Sequence, residues 1–201
     1  MSRQRTRPTR EETRQQLFQA AARVFAEHGI GASSIDAIAG AAGFTRGAFY
    51  SNFASKEDLI VSMLQDHVDR SLAFYRDLLA QHADRTDFMA ALKVAESTRR
   101  DLLGRAPLLH MELVLFVARS AKRRPELAKR LRARRSLVAE IITITNQAGG
   151  WQDRFDPVWA GTMLLALEDG FRLHRLIDPD TTPADSFLET IGALWRVIAG
   201  R

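Results

Sequence analysis

Ser33-Ser34-Ile35-Asp36-Ala37-Ile38-Ala39-Gly40-Ala41-Ala42-Gly43-Phe44-Thr45-Arg46-Gly47-Ala48-Phe49-Tyr50-Ser51-Asn52-Phe53-Ala54-Ser55-Lys56-Glu57-Asp58-Leu59 is the stretch that decides the fold. Ser34 is a natural N-cap, and Ile35, Ile38 and Ala39 then make an apolar stripe at i, i+3, i+4. Ala42-Gly43 ends that helix, because glycine accepts the left-handed conformation of a sharp helix stop. Phe44 anchors the turn, Thr45 caps a second short helix through Tyr50 towards Phe53, and a third helix opens at Lys56. Helix, glycine turn and helix together predict a helix-turn-helix.

Moving outward, helical rather than alternating periodicity runs through nearly the whole chain, with proline or glycine at the breaks. Helices are predicted near residues 10–28, 35–42, 46–52, 56–80, 86–103, 107–121, 125–147 and 157–177, with a ninth opened by the capping-box pattern Thr182-Pro183-Ala184-Asp185. The expected class is all-α, about nine helices. An N-terminal arm and helix-turn-helix domain is expected over 1–55, and a larger C-terminal domain over 56–201.

The 201 residues are 46% hydrophobic and contain no cysteine, which suits a folded helical protein and excludes disulfides and thiolate chemistry. The arginine-bearing N-terminus has no apolar h-region and no apolar run approaches a membrane span, so the expected location is cytoplasmic. The net charge of +5 is unevenly placed. Residues 119–135 hold nine basic side chains against the single acid Glu126, and the simplest reading is a solvated helix face with Leu127, Leu131 and Val138 turned inward. The N-terminal arm, with Arg3, Arg5, Arg7 and Arg10, adjoins the helix-turn-helix; its arginines are either disordered and solvated or reach into the adjacent minor groove.

The run from Gly43 to Leu59 resembles the N-terminal signature of the tetracycline-repressor (TetR/AcrR-like) family, roughly Gly-Val-Ser-x-Gly-Thr-Leu-Tyr-x-His-Phe-x-Ser-Lys-Glu-x-Leu. Leu17, Ala21, Ala22, Phe25 and Gly29 match that family's first helix and its glycine end. The departures are Phe44 for Val, Ala48 for Thr and Asn52 for His. The resemblance covers about the first quarter of the chain. It implies a DNA-reading head, a dimer built from the last two helices, and a ligand cavity among helices 4 to 8.

Phosphate neutralisation supplies affinity and base edges supply specificity. Arg46 can fork to the O6 and N7 of a guanine, Gly47 lets the backbone approach, and Ala48 and Ser51 are small enough to sink into the major groove. Tyr50, Asn52 and Lys56 can reach phosphates, and Ser34 and Thr45 sit at helix starts whose free N–H groups favour an anion. Capping alone is the plainer reading of Ser34 and Thr45, as core packing is for Phe49 and Phe53.

In the C-terminal part, Trp159, Met163, Ala166, Gly170 and Leu173 form one apolar belt, and Phe187, Ile191, Leu194 and Trp195 form another at helical spacing. Such wide stripes suit a homodimer interface. Met63, His67, Met89, His110, Met111, Phe171 and His174 are candidate effector-pocket residues, adaptable or aromatic with a few polar anchors, though plain core is the commoner fate of such residues. Five scattered histidines without i, i+4 pairing make no metal site, and no cofactor is expected. No nucleophile–base pair or phosphate-cradling glycine loop suggests an enzyme. The expected function is a ligand-responsive transcriptional regulator, most simply a repressor. It would bind a palindromic double-stranded DNA operator as a homodimer and be released by a small-molecule effector. The alternative is a sequence-indifferent DNA-packaging protein.

Overall fold

The computed structural model describes residues 8–82, 85–98, 102–103, 106–149 and 156–199. Every regular element among them is a helix: α1 Arg10–Ala32, α2 Ile35–Ala41, α3 Arg46–Tyr50, α4 Lys56–Gln81, α5 Arg85–Thr98, α6 Pro107–Ala118, α7 Arg124–Gly149, α8 Pro157–Ile177 and α9 Ser186–Ala199. Arg3, Arg5 and Arg7 of the arm lie outside the described residues.

Local chemistry places most of the helix starts. Thr9 and Glu12 form a capping box at α1: the Thr9 hydroxyl accepts from the Glu12 amide at 3.2 Å, and the Glu12 carboxylate accepts from the Thr9 amide at 2.7 Å. Ser34 accepts from the Ala37 amide at 3.0 Å and Thr45 from the Ala48 amide at 3.2 Å, so both caps are made as the sequence predicts. Asp156 caps α8 through the Val158 amide, with Pro157 in the tolerated first position. The ninth helix departs from expectation. It begins at Ser186 after a turn, and the carbonyl of Asp185 rather than that of Thr182 accepts its first backbone bond, from the Glu189 amide. Thr182 is instead buried, with its amide donating to the Asp178 carbonyl. The sixth helix ends earlier than predicted, at Ala118.

The chain divides into two compact units: 1–67 with 102–127, and 68–101 with 128–201. Residues on both sides of position 55 share the buried core of the first unit. In the first unit Leu17, Phe18 and Phe25 of α1, Ile38 of α2, Phe49 of α3 and Phe53 pack with Leu59, Ile60 and Met63 from the opening turns of α4. Leu109, Leu113 and Val117 of α6 complete the same core. The rings of Phe18 and Phe49 each lie 5.6 Å from that of Phe53. Burying each of these rings contributes roughly 1.5–3 kcal/mol, so a five-residue α3 is held by packing rather than by its own length.

In the second unit α8 buries Ala160, Gly161 and Leu165. A Cβ at Gly161 would lie 3.3 Å from the Ala139 amide nitrogen and 3.4 Å from the Arg135 carbonyl oxygen, so glycine is what lets α8 touch the backbone of α7. Glu168 accepts from Arg134 and from Arg172, both at 2.5 Å, with the three side chains only 14–25% exposed. Ring contact between Phe171 and Phe187, 6.2 Å between centroids, ties α8 to α9.

Candidate nucleic-acid interface

The α2–α3 unit is built so that its inner face is spent on the core and its outer face is left free. Ile38, Ala39 and Phe49 are buried; Ser34, Thr45, Arg46, Gly47, Tyr50 and Ser51 are exposed. The link is a tight turn in which Gly43 takes φ +74, the left-handed region where a side chain is strained. There the Phe44 amide donates to the Ala39 carbonyl at 2.9 Å, which fixes the direction in which α3 leaves.

Within this face the predicted residues take distinct places. Arg46 projects from the first position of α3, its Nη1 donating to Asp36 Oδ2 at 2.7 Å and its Nη2 to the Tyr50 hydroxyl at 3.4 Å. The guanidinium lies 5.5 Å from the Tyr50 ring centroid, a cation–π arrangement. The Tyr50 hydrogen bond and the Asp36 charge hold the arginine above its already high ordinary pKa, so it is a permanent cation. A side chain at Gly47 would meet only Thr45 Oγ1 at 3.7 Å, an ordinary contact, so the chain itself makes no demand for glycine there. Ser51 donates back to the Gly47 carbonyl at 2.9 Å, and Ala48 is half-buried.

Two predicted residues are turned to other tasks. Asn52 donates from Nδ2 to the Ala48 carbonyl at 2.9 Å, and its Oδ1 is buried without a donor, so its amide faces the head rather than open solvent. Lys56 donates to the carbonyls of Ile30, Gly31 and Ser33 at 2.7, 3.3 and 2.8 Å. It closes the end of α1. Sequence reasoning passed over Asp36 as a partner of Arg46, and also Arg14 and Arg23. Arg14 stacks 4.8 Å from the Phe53 ring, and Arg23 donates to the Ala41 carbonyl at the end of α2. The signal for Asp36 was present: an acid on the exposed side of α2 facing a basic α3.

The seven pocket candidates are divided between the units. Met63 is 2% exposed and belongs to the head core. His67 is buried with its ring 4.7 Å from that of His110, an edge contact within the first unit, where Met111 is half-buried. In the second unit Phe171 packs on Phe187 and His174 is exposed in the last turn of α8. Met89 lines a cleft of about 680 Å³ between α5 and α9, with Lys93, Leu188, Glu189, Ala193 and Arg196.

Of the interface candidates, Trp159, Met163, Ala166, Leu173 and Leu194 are exposed. Gly170, Phe187 and Ile191 are half-buried, and the Trp195 side chain lies outside the description. The basic stretch is partly neutralised inside its own units: Arg123 pairs with Asp58 and Glu126, Arg130 with Asp69, and Arg134 with Glu168. Among the described residues no group of His, Asp or Glu is arranged to hold a metal, and no helix is long and apolar enough to cross a membrane.

A capped, glycine-linked helix pair whose small-residue outer face carries Arg46 has the arrangement of a helix-turn-helix. Residues 17–63 match the family model for bacterial regulatory proteins of the tetR family. Over 88 residues it is 35% identical to the HTH-type transcriptional repressor KstR2 of Mycobacterium tuberculosis, covering 41% of this chain and 44% of that one. Over 83 residues it is 37% identical to the HTH-type transcriptional activator FasR of Mycolicibacterium smegmatis, covering 41% and 38%. The chain thus spans less than half the length of these curated relatives, which are regulators by name rather than enzymes. The fold extends further: the transcriptional regulator FadR of Bacillus subtilis, solved with stearoyl-CoA, aligns over 93% of this chain and 98% of its own, with a TM-score of 0.70 at 19% identity.

Proposed function

We propose that the protein is a cytoplasmic, ligand-responsive transcriptional repressor that binds a palindromic operator as a homodimer. The observation that carries the reading is the outer face of α3, where Arg46, Gly47, Tyr50 and Ser51 stand exposed on a helix whose other side is anchored by Phe49. Ser34, Thr45 and Ala48 border that face. Arg46 reads a guanine edge, while Tyr50 and the helix starts contact phosphates.

The exposed face of α8 supports the dimer reading. Trp159, Met163, Leu173 and Ile177 are 58, 40, 42 and 75% exposed, on the side opposite the buried Ala160, Gly161 and Leu165. A contiguous apolar stripe of this kind in water calls for a partner surface. Two heads then meet half-sites about 34 Å apart, one helical turn of DNA.

The effector acts through the C-terminal helices. The α5–α9 cleft of about 680 Å³ is of ligand size, with apolar Met89 and Leu188 beside charged Lys93 and Arg196. A ligand that prefers one separation of the heads releases the operator by no more than its differential affinity for the two states.

Selection of bound duplexes from a random pool by the full-length protein tests the reading. A two-fold symmetric enriched site is the expected result; binding without enrichment at physiological salt would support the packaging alternative. Replacing Arg46 with Ala then separates the two again. A regulator loses roughly tenfold or more in discrimination at one base pair, whereas a packaging protein loses only general affinity.

A further inference from the structure

We propose that Asp36 sets the sequence discrimination of the head, acting as a positioning residue that holds Arg46 until a base edge replaces it. This inference rests on the assignment of α3 as the base-reading helix.

The geometry is a three-part clasp. Asp36 stands in the first turn of α2 and takes Nη1 of Arg46 at 2.7 Å, while Tyr50, one turn along α3, offers its hydroxyl to Nη2 and its ring to the guanidinium plane. The fork that would meet a guanine is therefore already ordered, one arm held by the Asp36 carboxylate and the other by the Tyr50 hydroxyl. Asp36 is not required to cap α2, because Ser34 accepts the Ala37 amide there. The Arg46 and Asp36 side chains are 59% and 60% exposed, so the pair is solvated and exchanges readily.

Exchange is not equally easy for all comers. A guanine presents two neutral acceptors, O6 and N7, and can displace the carboxylate without bringing a charge to it. A phosphate that takes Arg46 sets its own negative charge beside Asp36, and like charges at this range repel. The carboxylate therefore lowers affinity for random DNA more than affinity for the operator. The device is specificity by penalising the wrong partner.

The test compares wild type with Asp36→Asn on the selected operator and on a random duplex of equal length, over a range of salt. Expected for Asp36→Asn is a random-duplex affinity higher by about three- to tenfold, a smaller change on the operator, and a salt slope on random DNA steeper by about one. Asp36→Glu, which keeps the carboxylate, is expected to hold the ratio near wild type. In an Arg46→Ala background Asp36→Asn should change neither ratio nor slope, which a general charge effect or a loosened α2 would not reproduce. An unchanged ratio in Asp36→Asn, or the same shift with Arg46 absent, overturns the inference and leaves the regulator reading standing. Failure to select any site removes both.

Discussion

The ammonium of Lys56 lies 2.7 Å from the carbonyl oxygen of Ile30, joining the first residue of α4 to the end of α1. The last carbonyls of a helix have no partners within it. Here Lys56 supplies three donor contacts, to Ile30, Gly31 and Ser33, while the Ser33 hydroxyl supplies a bond to Gly29 at 2.6 Å. A cation at the start of a helix is mildly disfavoured by the helix dipole, so the return on Lys56 lies in α1 rather than in α4.

Replacing Lys56 with Met is therefore expected to lower the stability of the head by about 1–2 kcal/mol, the scale of hydrogen bonds from a charged, half-exposed group. Thermal melts of the full chain read this directly. The folded variant should keep its affinity for the operator. A Tm unchanged with affinity reduced would instead return Lys56 to the phosphate contact that its sequence position suggests.

The exposed stripe of α8 gives a second expectation. Trp159→Glu with Leu173→Glu places charge on the apolar face without touching the buried Leu165 side. Light scattering should show a monomer with helical content intact. Binding to a single half-site should survive while affinity for the full operator falls by two orders of magnitude or more, on the order of the linkage expected between paired sites. A variant that remains dimeric would place the partner surface elsewhere.

Gly161 gives a packing test. A leucine there must displace the backbone of α7, whose Ala139 nitrogen lies 3.3 Å from where even a Cβ would stand. The expected cost is about 1–3 kcal/mol, typical of overpacking in a core, seen as a lower unfolding midpoint in denaturant. Gly170, with nothing within 4 Å of its Cβ position, should accept alanine without loss of monomer stability.

Acid stability has a traceable contributor at the start of α4. A backbone amide hydrogen bond and then the Ser55 hydroxyl hold Glu57 below its ordinary 4.5. Its contribution is thus present above pH 4.5 and is lost as pH falls through the lower folded value. Glu57→Gln should be less stable than wild type near neutrality, with the difference vanishing below the folded pKa. Melts taken across that range check the sign; a difference that grows on acidification would contradict it.

The head was legible because its signals are local. Ser34 and Thr45 each cap the residue three positions on, Gly43 has the positive φ that its place after Ala42 implies, and Phe49 points inward as its spacing requires. Local signals also compete. The capping-box pattern at Thr182 opens no helix, and α9 begins four residues later at Ser186. The stop of the sixth helix at Ala118 likewise precedes the one expected from sequence.

The sequence by itself determined an all-helical chain, a capped and glycine-linked helix pair, and an apolar stripe on α8, because propensity, capping and periodicity depend on residues within a turn or two of one another. Only the tertiary structure decided that Lys56 serves α1, that Asp36 holds Arg46, that Asn52 turns inward, and that Met63 joins Leu113 in one core. Those choices depend on which distant groups packing brings within reach. A charge or amide satisfies whichever unpaired partner stands nearest, and that partner is set by the fold rather than by its neighbours in sequence.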